Sequence, residues 1–252
     1  NARRARDELE YELGDTGVYD DSRYFDCFVE YAKAGPEDIA IRIRAINRGP
    51  DPAPLTVLPT LWFRNAWSWD LDTPPPPMLT SIDAQTIHAK LETGAEYTLT
   101  CSDAEEWLFT GNETNSTRLY GSKNAAPFVK DAFHRYVVNG ETDAVNPAHW
   151  GTKAAAVLRR TLAPGEEWTI RLRLTAGADA QPVSGAEFDR IFVDRKAEAD
   201  AFYAAFAPEA SADWLAIKRQ ALAGLLWTKQ FYFYNVLRWL KGDPTAPPPP
   251  PH

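Results

Sequence analysis

From Arg23 to about Thr175 the hydrophobic positions follow a period of two, as half-buried strands do. Residues 23–31 predict a first strand, closed by the turn Ala34-Gly35-Pro36-Glu37-Asp38. In the segment that follows, Ile39, Ile41, Ile43 and Ala45 share one face and Arg42 and Arg44 the other. That alternation predicts an antiparallel strand buried on one side. Residues 55–64 predict a more apolar strand, and short ones follow at 86–91, 97–102 and 106–110. Between them Pro74, Pro75, Pro76 and Pro77 predict an extended loop, since consecutive prolines fix φ and donate no N–H. The last clear pair, 155–162 and 167–175, is joined by Ala163-Pro164-Gly165, a hairpin signal. Residues 111–151 are polar, aromatic and aperiodic; they predict extended loops, where a β-scaffold carries its binding residues.

The period changes after Gly185. Phe188, Ile191, Phe192, Ala199, Phe202, Tyr203 and Phe206 fall at helical spacing, and Pro208 ends the run. Ser211 and Asp213 are candidate caps of a second helix reaching about Leu240. That helix is apolar on more than one face over residues 222–234, so it is expected to be covered by something further. Gly242-Asp243-Pro244 and a run of prolines follow it. The pattern as a whole predicts a mainly β protein: a large antiparallel β-sandwich followed by a C-terminal helical segment.

Composition narrows the function classes. The 252 residues hold 27 Lys and Arg against 35 Asp and Glu, a net charge of −8, with no basic run to offset it; a nucleic-acid partner is not expected. No stretch approaches the ~18 unbroken apolar residues of a transmembrane helix, so no membrane partner is expected. Cys27 and Cys101 lie far apart in predicted strands and are expected to be two buried thiols, which suits a reducing cytoplasm. The chain opens on Asn1 without an initiator Met and runs out in prolines; it reads as a piece of a longer protein.

Candidate chemistry is sparse. His88, His134, His149 and His252 lack metal-ligand spacing, and none pairs with a cysteine, so neither a metal site nor a cofactor is expected. There is no nucleophile elbow, phosphate loop or dinucleotide fingerprint. Glu105 and Glu106 would point to opposite faces of a strand; Glu113 and Asp131 are better placed, though spacing alone does not make a glycosidase pair. Asn112-Glu113-Thr114 and Asn115-Ser116-Thr117 fit the glycosylation pattern. The most distinctive run is Trp62-Phe63-Arg64-Asn65-Ala66-Trp67-Ser68-Trp69-Asp70. Sugars stack C–H faces on aromatic rings and bond their hydroxyls to Asn, Asp and Arg. Asn65, Trp67 and Trp69 are therefore the candidate substrate-binding residues, while Trp62 is expected in the core or at a domain contact.

Several blocks together resemble bacterial proteins similar to glycoside hydrolase family 63, the family of processing α-glucosidase I. They include Glu10-Tyr11-Glu12-Leu13, Arg23-Tyr24-Phe25-Asp26, Leu58-Pro59-Thr60-Leu61-Trp62-Phe63-Arg64-Asn65 and Asn112-Glu113-Thr114-Asn115. Further on come Val129-Lys130-Asp131-Ala132-Phe133-His134, Asn146-Pro147, Gly151-Thr152-Lys153-Ala154-Ala155 and Gln220-Ala221-Leu222-Ala223-Gly224. The resemblance implies an N-terminal super-β-sandwich, a helical connector and a C-terminal (α/α)6 barrel that holds both catalytic carboxylates and hydrolyses with inversion. It implies a sandwich over 1–185, a connector over 186–240 and a proline-rich linker over 241–252, with the barrel outside this sequence. No residue here matches a catalytic position of the family. The expected partners are an oligosaccharide or small glycoside and the barrel packed on the sandwich. The reading from another class is a stand-alone carbohydrate-binding sandwich without catalysis.

Overall fold

A computed structural model describes residues 5, 7–65, 67, 75–206, 210–228 and 236–242. Eleven strands and five helices occur among them. The first hairpin pairs β1 (Phe25–Gly35) with β2 (Asp38–Asn47) in continuous register from Phe25 opposite Asn47 to Lys33 opposite Ile39. Strands β3 (Ala53–Val57) and β4 (Thr60–Trp62) follow, then β5 (Met78–Ser81), β6 (Thr86–Lys90), β7 (Glu96–Cys101) and β8 (Glu106–Thr110). After two short helices, α1 (Ser116–Tyr120) and α2 (Ala132–Asn139), come β9 (Trp150–Gly151), β10 (Lys153–Leu162) and β11 (Glu167–Ala176). The chain ends in α3 (Ala186–Ala204), α4 (Ala212–Thr228) and α5 (Val236–Lys241).

The strands form two antiparallel sheets. Seven run in the order β1-β2-β11-β7-β6-β5-β9, and in the second sheet β10 is flanked by β3 and β4 on one edge and by β8 on the other. What reads in sequence as one strand over 55–64 is split in two. Pro59 has no N–H to donate, and its carbonyl instead accepts from Ala156 N at 3.1 Å, carrying β3 over into β4 along the same edge of β10.

One core joins the sheets. Ile43, Ala45, Ile87, Leu99, Ile170 and Leu172 of the larger sheet pack with Trp107, Phe109, Ala154, Ala156 and Leu158 of the smaller. The alternation of β2 is met as expected: Ile43 and Ala45 enter this core, while Arg42 and Arg44 lie on the opposite face. On that outer face α3 sets the first part of its expected stripe, Phe188 and Phe192, against Ala32 and Ala40, whereas Phe202 and Phe206 farther along it are exposed. The outer face of the smaller sheet is covered by α2, whose Ala132 and Phe133 meet Leu108, Ala155 and Val157. The aperiodic stretch 111–151 is thus not all extended loop; it contains α1, α2 and the two-residue strand β9.

Two burial expectations change. The four-stranded sheet is too narrow to reach β1, so Val29 and Tyr31, in register with Ile43 and Ile41 on the core-side face, are 50% and 66% exposed. Cys27, on the same face, is exposed too, contrary to its expected burial; Cys101 is buried, and burial pushes its thiol pKa up to about 12. Both cysteines are free. The second predicted helix is described as α4 and α5, with residues 229–235 outside the described set.

Candidate functional site

The site is built on the outer face of the smaller sheet. Lys153 opens β10 with Trp62 of β4 opposite it on one side and Thr110 of β8 opposite it on the other, so the three side chains stand in one row. The chain leaving β4 (Phe63, Arg64, Asn65) and the chain leaving β8 (Gly111, Asn112, Glu113) then run side by side. Asn112 ties them: its Nδ2 donates to Phe63 O at 2.9 Å, its carbonyl accepts from Asn65 Nδ2 at 3.3 Å, and its N–H donates to Thr152 Oγ1 at 2.8 Å. The segment before α2 is tied in turn by Thr110 Oγ1 donating to Val129 O and Lys130 N donating to Glu113 O, each at 2.9 Å.

These segments enclose a cavity of about 560 Å³, lined by Trp62, Asn65, Asn112, Glu113, Lys130 and Lys153 among others. Trp62 is 55% exposed, which excludes a core position and leaves the other role expected for it, a domain contact. Trp67 is tied to the cavity wall: its Nε1 donates to Glu113 Oε1 at 2.8 Å. Glu113 can fold back this way because Gly111 has no side chain; a β carbon there would lie 2.2 Å from Glu113 Oε2. Of the expected substrate-binding residues, Asn65 lines the cavity and Trp67 braces it, while Trp69 lies outside the described residues.

Lys153 is the least expected member. Its Nζ donates to Lys130 O at 2.9 Å and sits 5.0 Å from the Phe133 ring centroid. Burial first, and the like charge of Lys130 second, hold its pKa below the usual lysine range; Asp131 opposes both. Asp131 is otherwise engaged, accepting from Asn115 Nδ2 at 3.0 Å and pairing with Arg118 at 3.4 Å. Asn115 also caps α1 through its Oδ1, which accepts from Arg118 N. Both sequon asparagines, Asn112 and Asn115, thus spend their amide groups inside the protein, a poor setting for a glycan.

Other candidates fall elsewhere. Glu105 and Glu106 do not diverge as expected: Arg159 bridges both, at 2.9 Å and 3.2 Å. His134 lies on the exposed face of α2 and lines a shallow surface pocket with Arg118 and Arg135, whereas His149 adopts a left-handed φ of 55° and meets Phe109 edge-on at 6.1 Å. No cluster of three or more His, Cys, Asp or Glu poised for a metal occurs among the described residues. Within the cavity lining Glu113 is the sole carboxylate among the described residues, and it is bound to Trp67. Such a lining can bind and orient a polar ligand.

No family model matches the chain. Along its whole length it is similar to the uncharacterized protein YMR196W of Saccharomyces cerevisiae, with 35% identity over 295 aligned residues. The chain spans 27% of that protein's length, so the similarity concerns about a quarter of the yeast protein.

No local pattern in the sequence joins Lys153 to Lys130 in one site. A signal was present: the blocks 58–65, 112–115, 129–134 and 151–155, far apart in sequence, are the ones that meet around the cavity.

Proposed function

We propose that this chain is the non-catalytic sandwich portion of a larger, inverting α-glucosidase-like glycoside hydrolase, similar to glycoside hydrolase family 63. On this reading residues 1–185 are the sandwich, 186–240 the helical connector and 241–252 a proline-rich linker to an (α/α)6 catalytic barrel. The barrel supplies both carboxylates; the sandwich braces it and brings its cavity to the rim of the cleft, with Asn65, Trp67 and Trp69 toward the sugar. The observation that carries the reading is the convergence of four resemblance-bearing blocks on one polar, Trp-edged cavity. A whole-length similarity to a protein more than three times longer supports it, because a domain of a larger enzyme is expected to align that way. Exposed Trp214, Ile217 and Trp227 on α4 support it as well, as a face for the barrel to cover.

The protein is assigned to the cytoplasm on the same reading; no helix among the described residues is long and apolar enough to cross a membrane. The deciding experiment assays the longer protein and the 252-residue piece on α-linked glucosides, following the anomer of the released glucose by NMR. Hydrolysis with inversion by the longer protein and none by the piece is the expected result. Turnover by the piece alone sinks the assignment of the carboxylates to the barrel. The exposed Trp62 also suits a stand-alone carbohydrate-binding sandwich. Sugar binding by a protein that hydrolyses no glucoside at any length would favour that second reading.

A further inference from the structure

The cavity carries a charge surplus that a neutral glucoside has no use for. Among the described residues Lys130 and Lys153 line it against one carboxylate, Glu113, whose Oε1 already accepts from Trp67. This surplus opposes the overall balance of the chain, which is −8. Neither Lys130 nor Lys153 enters an ion pair among the described residues, and the nearby Asp131 is held by Asn115 and Arg118. An ammonium has three N–H donors, and Lys153 spends one on Lys130 O. Partial burial and a second ammonium both disfavour its charge, and an anion seated between the two lysines would offset the repulsion between them. Trp62 stands beside Lys153 on the same face of the sheet, more than half exposed, and Asn112, Thr114 and Ser116 add neutral polar groups.

We propose that this cavity binds a saccharide bearing an anionic group, a carboxylate or a phosphate, with Lys130 and Lys153 on the anion and the Trp62 indole against the sugar ring. The cations provide the charge-assisted hydrogen bonds, and the indole the apolar face that sugar C–H groups stack on. The inference deepens the carbohydrate reading above and rests on it.

Calorimetric titration of the full-length protein with glucose 6-phosphate, glucuronate, maltose and inorganic phosphate tests it, using Lys130→Gln, Lys153→Gln and Trp62→Ala. At least one of the two anionic sugars should bind, and each lysine variant should weaken that binding by about tenfold, equivalent to ~1.4 kcal/mol. Trp62→Ala should weaken the anionic sugar and leave inorganic phosphate unaffected. Glucose 6-phosphate alone binding identifies a phosphate; glucuronate binding comparably identifies a general anion. Maltose bound as tightly as either, with the same loss in Lys130→Gln, overturns the anion preference. Inorganic phosphate bound as tightly as either sugar, indifferent to Trp62→Ala, overturns the saccharide. No heat from any anionic probe overturns the site, as it would if an acidic side chain of the remaining chain occupied the lysines. Should Lys153→Gln lower the thermal midpoint, Lys130→Gln, whose side chain is exposed, carries the test alone. Hydrolysis of neutral α-glucosides by the same preparation separates the failure of this site from failure of the enzyme reading.

Discussion

At Gly151 the backbone of β9 runs against that of β8, and a β carbon there would lie 2.3 Å from Thr110 O. A close approach to backbone cannot be relieved by a rotamer change. We therefore expect Gly151→Ala to destabilise the fold by about 2 kcal/mol or more, read from the midpoint of urea unfolding. Glu113 gives a contrasting pair of substitutions. Glu113→Ala leaves the Trp67 N–H without its acceptor and should lose about 1–2 kcal/mol, whereas Glu113→Gln keeps an acceptor oxygen and should lose less. Equal losses would mean that the charge, not the hydrogen bond, holds Trp67. Trp67 and Asn65 were legible because an aromatic, amide-rich run advertises itself. Lys130 and Lys153 were not, because strand register brings together residues 62, 110 and 153, and no local pattern announces that pairing. Glu105 and Glu106 failed for a related reason: alternation was applied to both, but β8 begins only at Glu106, so Glu105 is free to turn to Arg159.

Strands and helices with one buried face were the most legible elements. The cations of β2 and β11 are four arginines, and each finds a carboxylate on the outer face: Arg42 with Glu30 at 2.9 Å, Arg44 with Glu167 at 3.4 Å, Arg171 with Asp189 at 3.4 Å and Arg173 with Asp38 at 2.7 Å. The hydrogen bond from Arg42 is the chief cause that holds the Glu30 carboxyl below the usual carboxylate range. A carboxylate with a depressed folded-state pKa contributes stability that is complete above its unfolded pKa and is lost as pH falls through the folded one. We expect unfolding experiments across the acid range to show a loss below pH 4.5 that is shallower in Glu30→Gln. The change should be small, because the Glu30 side chain is 37% exposed and water screens it. What lies over that face was only half legible. The stripe of α3 predicted a buried side, but not that it would lie on Ala32 and Ala40, whose small side chains let Phe188 and Phe192 approach. Phe188→Ala should lose about 3–5 kcal/mol and lower amide-exchange protection first in α3 and β1. Unchanged protection in α3 would mean that the helix is held by its ion pairs rather than by the two rings.

At the scale of the molecule, two of the apolar areas left bare among the described residues differ in origin. One follows from unequal sheets: four strands cannot cover seven, which strands Val29 and Tyr31 of β1 on a core-side face without a core. The other is on α4, where Leu225, Leu226 and Trp227 are 68%, 66% and 84% exposed; Leu237 and Trp239 of α5 are exposed as well. Contact with α3 offers α4 only an edge: Arg219 pairs with Asp200 and lies 5.0 Å over the Tyr203 ring. A helix so apolar on several faces would be unusual at a permanent water boundary. The 252 residues on their own should therefore associate with increasing concentration, seen as faster-sedimenting species in velocity runs. Leu226→Glu combined with Trp227→Glu should return them toward the monomer, because charges on the exposed face oppose its burial against a second copy. If the β1 face drove association instead, the α4 variant would change nothing and Val29→Lys with Tyr31→Lys would dissolve it. On the proposed reading, a longer protein carrying the barrel should sediment as one species at the same concentrations, with Trp227 fluorescence shifted to the blue, because the surface that pairs two isolated pieces would be occupied within a single molecule. A clean monomer of the short piece at every concentration would mean that these faces need no cover at all, and would remove the support they give to a docked catalytic domain.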